Sequence, residues 1–277
     1  MEQKRILTIQ DISCVGQCSL TVALPIISAC GVEAAILPSA VLSTHTAGFS
    51  GFTFHDLTDD MPSIRQHWEK ENIKFDAVYT GYLGSIKQIG FVLDIMKSCN
   101  KDAALRIVDP AMADNGSLYS IFDMDYARAM AGLCGDADII LPNITEACFM
   151  TDTEYKTEYD REYIDTLLEK LTKLGCKTIV LTGVGYRDGM TGVVVFENGK
   201  YNYYEHKKIT KGCHGTGDVY ASAFVGALMR GFDTFSAAKI AADYTVLCIE
   251  NTMDDPTHWY GVKFESVLPK LCEMLQK

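Results

Sequence analysis

Basic residues are scarce in this chain. Lys and Arg number 25 against 36 Asp and Glu, a formal net charge of −11 over 277 residues. Affinity for a nucleic-acid backbone comes mainly from clustered Lys and Arg, so no nucleic-acid partner is expected. Apolar runs are short: none approaches the roughly 18 residues of a membrane-spanning helix, and no membrane partner is expected either. The ten cysteines, at 14, 18, 30, 99, 134, 148, 176, 213, 248 and 272, include no C-x-x-C pair and sit mostly in apolar runs. They read as reduced core thiols. Met1-Glu2-Gln3-Lys4-Arg5 passes directly into Ile6-Leu7-Thr8-Ile9, without a long apolar stretch or a small-residue cleavage site, and the expected location is cytoplasmic. With seven prolines and no Pro- or Ser-rich tract, no linker divides the chain. A Walker A loop, G-x-x-x-x-G-K-[ST], is missing, and so is a G-x-G-x-x-G fingerprint after the first strand.

What is present is enough apolar material, 48% of residues, for a large core. Short β-branched runs alternate with longer amphipathic ones, the pattern of parallel strands joined by crossover helices. Strands are predicted at 5 to 9, 33 to 37, 76 to 80, 104 to 108, 138 to 141 and 177 to 182. Helices are predicted near 17 to 29, 62 to 71, 86 to 98, 124 to 134 and 160 to 174, then at 217 to 230, 234 to 250 and 263 to 276. Between these blocks, Thr191 to Phe196 and Tyr201 to Tyr204 flank Asn198-Gly199 as a hairpin. Residues 1–277 are therefore expected to form a single α/β domain, with a flap near 41 to 57.

Lys211-Gly212-Cys213-His214-Gly215-Thr216-Gly217-Asp218 is the most informative segment, because it leads straight into the apolar helix that begins at Val219. A Gly-x-Gly turn opening a helix presents backbone N–H groups at the positive end of the helix dipole, a seat for a phosphate. Asp218 falls in the first turn, where it can take a proton from a hydroxyl; first-turn acids also serve simply as caps.

Together with Ile9-Gln10-Asp11, Ser43 to Phe49, Gly81-Tyr82-Leu83-Gly84-Ser85, Val108-Asp109-Pro110, Pro142-Asn143-Ile144-Thr145-Glu146 and Thr182-Gly183, this turn resembles the ribokinase-like superfamily, and within it the vitamin B6 kinases. The resemblance implies a three-layer α/β/α sandwich with a largely parallel central sheet and a small flap over the acceptor. It implies transfer of the γ-phosphate of ATP to the 5′-hydroxymethyl group of pyridoxal, pyridoxine or pyridoxamine, with Mg²⁺ and with K⁺ as a further candidate ion. It also implies a homodimer. Asp218 becomes the catalytic base, and Gly215 and Gly217 supply the anion hole. Thr182, Asp109, Asn143 and Thr216 contact nucleotide, and Glu146 with Asn143 holds the metal through water. Asn143 capping a helix beside a solvated Glu146 is the plainer alternative.

At the acceptor end the resemblance assigns Asp11, Thr46 and Tyr82 to the substrate. Asp11 departs from the family, whose common residue there is Ser; a carboxylate at that point favours an amine or a protonated ring, or is a strand-end cap. Ile12, Val41 and Phe49 are expected to form an apolar acceptor wall, unlike the polar pockets of sugar kinases. Val219, Thr245 and Leu247 are expected around the adenine. Rival functions are a hydroxymethylpyrimidine kinase or other ribokinase-like small-molecule kinase, and a B6-binding regulatory protein without activity.

Overall fold

Five apolar pairs explain why a sheet occupies the centre of the molecule. In Ile6-Leu7, Ala77-Val78, Ile107-Val108, Ile139-Ile140 and Val180-Leu181 the first residue is buried on one face and the second on the other, as the two-residue period of a strand requires. Strands buried on both faces read as unbroken apolar runs, the mark of a parallel sheet covered by helices on each side.

The computed structural model describes residues 3–209 and 213–276, so Met1, Glu2, Lys211 and Gly212 from the segments singled out above lie outside the described residues. In chain order the elements are β1 (Arg5–Val15), α1 (Leu20–Ala29), β2 (Glu33–Thr44), β3 (Phe54–Asp56), α2 (Met61–Lys70), β4 (Phe75–Thr80), α3 (Ile86–Ser98) and β5 (Asn100–Val108). There follow β6 (Ala113–Asp114), β7 (Ser117–Leu118), α4 (Met124–Gly135), β8 (Ile139–Ile140), α5 (Ile144–Met150), α6 (Arg161–Lys173) and β9 (Thr178–Val184). The chain ends with β10 (Met190–Glu197), β11 (Lys200–Lys207), α7 (Thr216–Met229), α8 (Thr234–Thr252), a 3₁₀ turn (Glu265–Val267) and α9 (Leu268–Met274).

The main sheet runs β11-β10-β9-β8-β5-β4-β1-β2-β3. Its middle, from β9 to β2, is parallel, while β10, β11 and β3 join antiparallel at the edges. Helices α2 to α6 cover one face, and α1, α7, α8 and α9 the other. This is the three-layer arrangement expected from the sequence. The β10–β11 turn carries Asn198 at φ 52 and Gly199 at φ 75, two successive left-handed residues that match the twist of a hairpin.

Several boundaries differ from the expectation. Strands β1 and β2 run on to Val15 and Thr44 as a paired arm, although Gln10, Asp11 and Ser13 interrupt the apolar pattern; the ladder resumes after a register shift between Gln10 and Ile12. The first helix starts at Leu20, not at 17, because Ser19 takes a left-handed φ of 54. The last predicted helix shortens to α9, whose first turn holds Pro269, a residue that suits a helix start and not an interior. Helix α5, only two turns long, was absent from the predicted helices and foreseen only in the alternative that gave Asn143 a helix to cap. The 41 to 57 excursion consists of the end of β2, a loop and β3. Six cysteines are buried, whereas Cys14 and Cys272 are exposed and Cys18 and Cys213 are half-buried, so the core-thiol expectation holds for part of the set. Among the described residues no helix is long and apolar enough to cross a membrane.

Candidate active site

From β1 the chain turns to β2 on one side, and from β4 to β5 on the other, so the loops at the carboxyl ends of β1 and β4 diverge. Open α/β sheets form their ligand crevice at such a point. Here it is a cavity of about 770 Å³, lined by all eleven site residues expected from the sequence: Asp11, Thr46, Tyr82, Asp109, Asn143, Glu146, Thr182, Gly215, Thr216, Gly217 and Asp218.

Gly215 caps α7 at φ 77. A Cβ there would lie 1.7 Å from the carbonyl oxygen of Gln17, so only glycine lets the turn rest against the loop after β1. The helix ladder begins with the Val219 N–H donating to the Gly215 carbonyl at 3.0 Å, which leaves the preceding first-turn N–H groups without helical acceptors. Gly217 borders the cavity, and a Cβ on it would meet nothing within 4 Å. Asp218 is the third residue of α7 and receives the backbone N–H of Ser19. Burial pushes its carboxyl up to about 7, the nearby Asp11 adds to the rise, and the Ser19 N–H opposes it. Ser19 was missed in the sequence. A Ser before an apolar helix reads as a cap, yet its side chain makes no cap bond and turns to Asp11 instead.

Asp109 continues β5 into the cavity, its N–H donating to the Thr80 carbonyl at 2.9 Å. Burial, then the Asp218 carboxylate, pushes it well above the usual range. Asn143 and Glu146 do form a capping box on α5, with Asn143 Oδ1 accepting from Glu146 N–H at 2.9 Å and Glu146 Oε2 accepting from Asn143 N–H at 2.8 Å. The plain alternative was therefore right about the cap but not about solvation, since Glu146 is buried and its Oε1 also accepts from Met112 N–H at 3.2 Å. Burial and then Asp109 raise Glu146 against these donors. Thr182 stands beside Asn143 at the end of β9, its N–H donating to the Pro142 carbonyl at 2.9 Å.

At the other end Asp11 is buried, Tyr82 half-buried and Thr46 exposed. The predicted apolar wall is not there: Ile12, Val41 and Phe49 do not line the cavity, whereas Asp11, Ser13 and Leu42 do. Alternation along β1 and β2 sends the neighbours of the expected residues inward. Phe49 packs on Trp259 instead, with ring centroids 4.7 Å apart. Of the residues expected around the adenine, Val219 is core and Leu247 is off the lining, whereas Thr245 faces the cavity from α8 with Ala242 and Ile249, at helical spacings of three and four. The Tyr82 loop is held by Gln88, a buried amide on α3. Its Oε1 accepts from Gly84 N–H at 2.7 Å, and its Nε2 donates to the Ser39 carbonyl at 3.1 Å and to Thr58 Oγ1 at 2.8 Å.

Residues 23–261 match the phosphomethylpyrimidine kinase family profile. This chain belongs to that family. Among solved structures, this kinase is 36% identical to a Bacteroides thetaiotaomicron protein assigned as a phosphomethylpyrimidine kinase, with a TM-score of 0.93 over 98% of this chain and 94% of that one. An orthorhombic crystal form of that protein holds pyridoxal. Pyridoxal kinase from Lactobacillus plantarum is 30% identical to it, with a TM-score of 0.91 over 98% and 97% of the two chains. Hydroxymethylpyrimidine/phosphomethylpyrimidine kinase of Bacillus subtilis is 27% identical over 83% of this kinase and 84% of its own length. The family and the ribokinase-like fold expected from the sequence are thus borne out.

Proposed function

We propose that this kinase transfers the γ-phosphate of ATP to the 5′-hydroxymethyl group of a vitamin B6 vitamer, with Asp218 taking the hydroxyl proton. One observation carries the reading: a carboxyl held near neutrality stands in the first turn of α7, beside backbone N–H groups that have no helical acceptor, in the same cavity as Asp11, Thr46 and Tyr82. Phosphoryl transfer asks chiefly for positioning and charge neutralisation. The N–H groups of Thr216, Gly217 and Asp218 would receive the transferring phosphoryl oxygens, Thr182 and Asn143 would bind the phosphates, and Ala242, Thr245 and Ile249 would face the adenine. Thr46 and Tyr82 would bracket the pyridine ring.

Asp109 and Glu146 suit a hard cation, since they offer oxygens only and each is raised by burial and a neighbouring carboxylate. Among the described residues no cluster of three His, Cys, Asp or Glu stands ready to hold a metal alone, so the rest of the shell would be phosphate oxygens and water, as Mg²⁺ prefers. When bound, Mg²⁺ neutralises phosphate charge.

A B6 acceptor is supported by the relative that binds pyridoxal and by the pyridoxal kinase at 30% identity. The Bacillus relative and the family profile favour a second reading, hydroxymethylpyrimidine as acceptor. ADP release with Mg-ATP and pyridoxal, pyridoxine, pyridoxamine or hydroxymethylpyrimidine separates the two. The B6 reading expects the highest kcat/KM on a vitamer; hydroxymethylpyrimidine as the preferred acceptor would replace it, and silence on all four would leave a binding protein.

The same carboxyl sets a pH dependence. Only the ionised form accepts a proton, so kcat/KM is expected to fall tenfold per pH unit on the acid side, with a midpoint near the value of about 7 that burial gives Asp218 in the free enzyme. A profile flat from pH 5 to 8 would remove Asp218 from the role.

A further inference from the structure

We infer that the acceptor end selects acceptors carrying a positive charge, an aminomethylpyridine or a protonated aminopyrimidine, over the neutral alcohol and aldehyde vitamers, and that the Asp11 carboxylate makes the selection. The inference rests on the kinase reading above and narrows its substrate.

Asp11 stands in β1 at the register shift against β2, lines the cavity and is 5% exposed. Its side-chain partners in the protein are two hydroxyls, Ser13 Oγ donating at 2.9 Å and Ser19. No Lys or Arg among the described residues lines the cavity. His45, beside Asp11, is engaged at both ring nitrogens: Nδ1 accepts the Ala47 N–H at 3.1 Å and Nε2 is hydrogen-bonded to the Tyr260 carbonyl at 2.6 Å. The other titratable groups around Asp11 are Asp218 on α7, Tyr82 after β4 and Cys18 before α1, and none of them is a cation.

A carboxylate taken out of water is costly unless it is paired, and two hydroxyls compensate only part of that cost. Among the described residues no Lys or Arg pairs with Asp11, and a cationic acceptor would supply that partner. Pyridoxamine bears a protonated amine on the same ring on which pyridoxine bears a neutral hydroxymethyl arm, and an aminopyrimidine gains its charge by taking up a proton. Either cation would pair with Asp11 and relieve the repulsion between Asp11 and the nearby Asp218.

The test compares kcat/KM for pyridoxamine, pyridoxine, pyridoxal and hydroxymethylpyrimidine in the wild-type enzyme, Asp11→Asn and Asp11→Ser. Both variants are expected to lose about tenfold more on the aminated acceptors than on pyridoxine, mainly in KM, as expected when a hydrogen bond to a charged partner is removed. The pyridoxamine and hydroxymethylpyrimidine arms identify which cation is favoured. Equal losses on every acceptor would overturn the inference. If no acceptor turns over in the wild type, the kinase reading fails instead. Should the variants not fold, calorimetry on the wild type without nucleotide decides: pyridoxamine is expected to bind about tenfold tighter than pyridoxine, and equal affinities overturn the inference.

Discussion

Asp218→Asn is expected to lower kcat by about 10²–10⁴-fold, the usual contribution of a positioned general base, with little change in nucleotide affinity. The amide keeps the shape of the carboxyl and can still accept the Ser19 N–H, but it cannot take a proton. Steady-state ADP release gives the first quantity and nucleotide calorimetry the second; a kcat within tenfold of wild type would rule out Asp218 as the base. The same substitution has a consequence for stability, and its sign is opposite to that for activity. The folded carboxyl, raised from 3.8 to about 7, holds its proton more tightly than the unfolded chain does. Stability is therefore drawn down as pH rises from about 4 to 7, and the whole cost is present above that window. The amide removes this cost, so the thermal midpoint at pH 8 is expected to equal or exceed that of the wild type.

Two glycines two positions apart are expected to fail in different ways. Gly215→Ala would place a methyl 1.7 Å from the Gln17 carbonyl oxygen at a residue with φ 77. Left-handed strain of about 1–2 kcal/mol and overpacking of about 1–3 kcal/mol both apply, and the expected result is a thermal midpoint several degrees lower. Gly217→Ala meets no atom within 4 Å, so the fold should be indifferent. Its methyl would stand where the phosphoryl group is proposed to approach, and a small displacement there can cost about 10²-fold. Thermal melts and kcat/KM for ATP read the two losses separately; a stable, fully active Gly217→Ala enzyme would show that the phosphate passes elsewhere.

The parts legible in the sequence are those set by local periods. Short β-branched runs marked the parallel strands, and Asn198-Gly199 marked the hairpin, because a strand's two faces and a left-handed turn are written in adjacent residues. Asp109, Asn143 and Thr182 were legible because each lies at or just beyond the carboxyl end of a strand, and strand ends meet at one edge of the sheet. The acceptor wall was not. Which of Asp11, Ile12 and Ser13 faces inward depends on where β1 and β2 slip in register, and that slip is fixed by partners about thirty residues away. Ser19 escaped for a related reason: it acts through a backbone N–H, which every residue but proline has. Gln88 looked like one polar residue on an amphipathic helix, and only its contacts with Ser39, Thr58 and Gly84 give it a place.

The fit of Gly215 against Gln17 joins segments far apart in sequence. A ribosome-bound chain that stops short of Gly215 has β1 and the loop beyond it, but not the turn that rests there and is proposed to seat the phosphate. The proposed phosphate seat thus waits on residues made long after β1, and long-range closure of this kind belongs among the slow steps of folding.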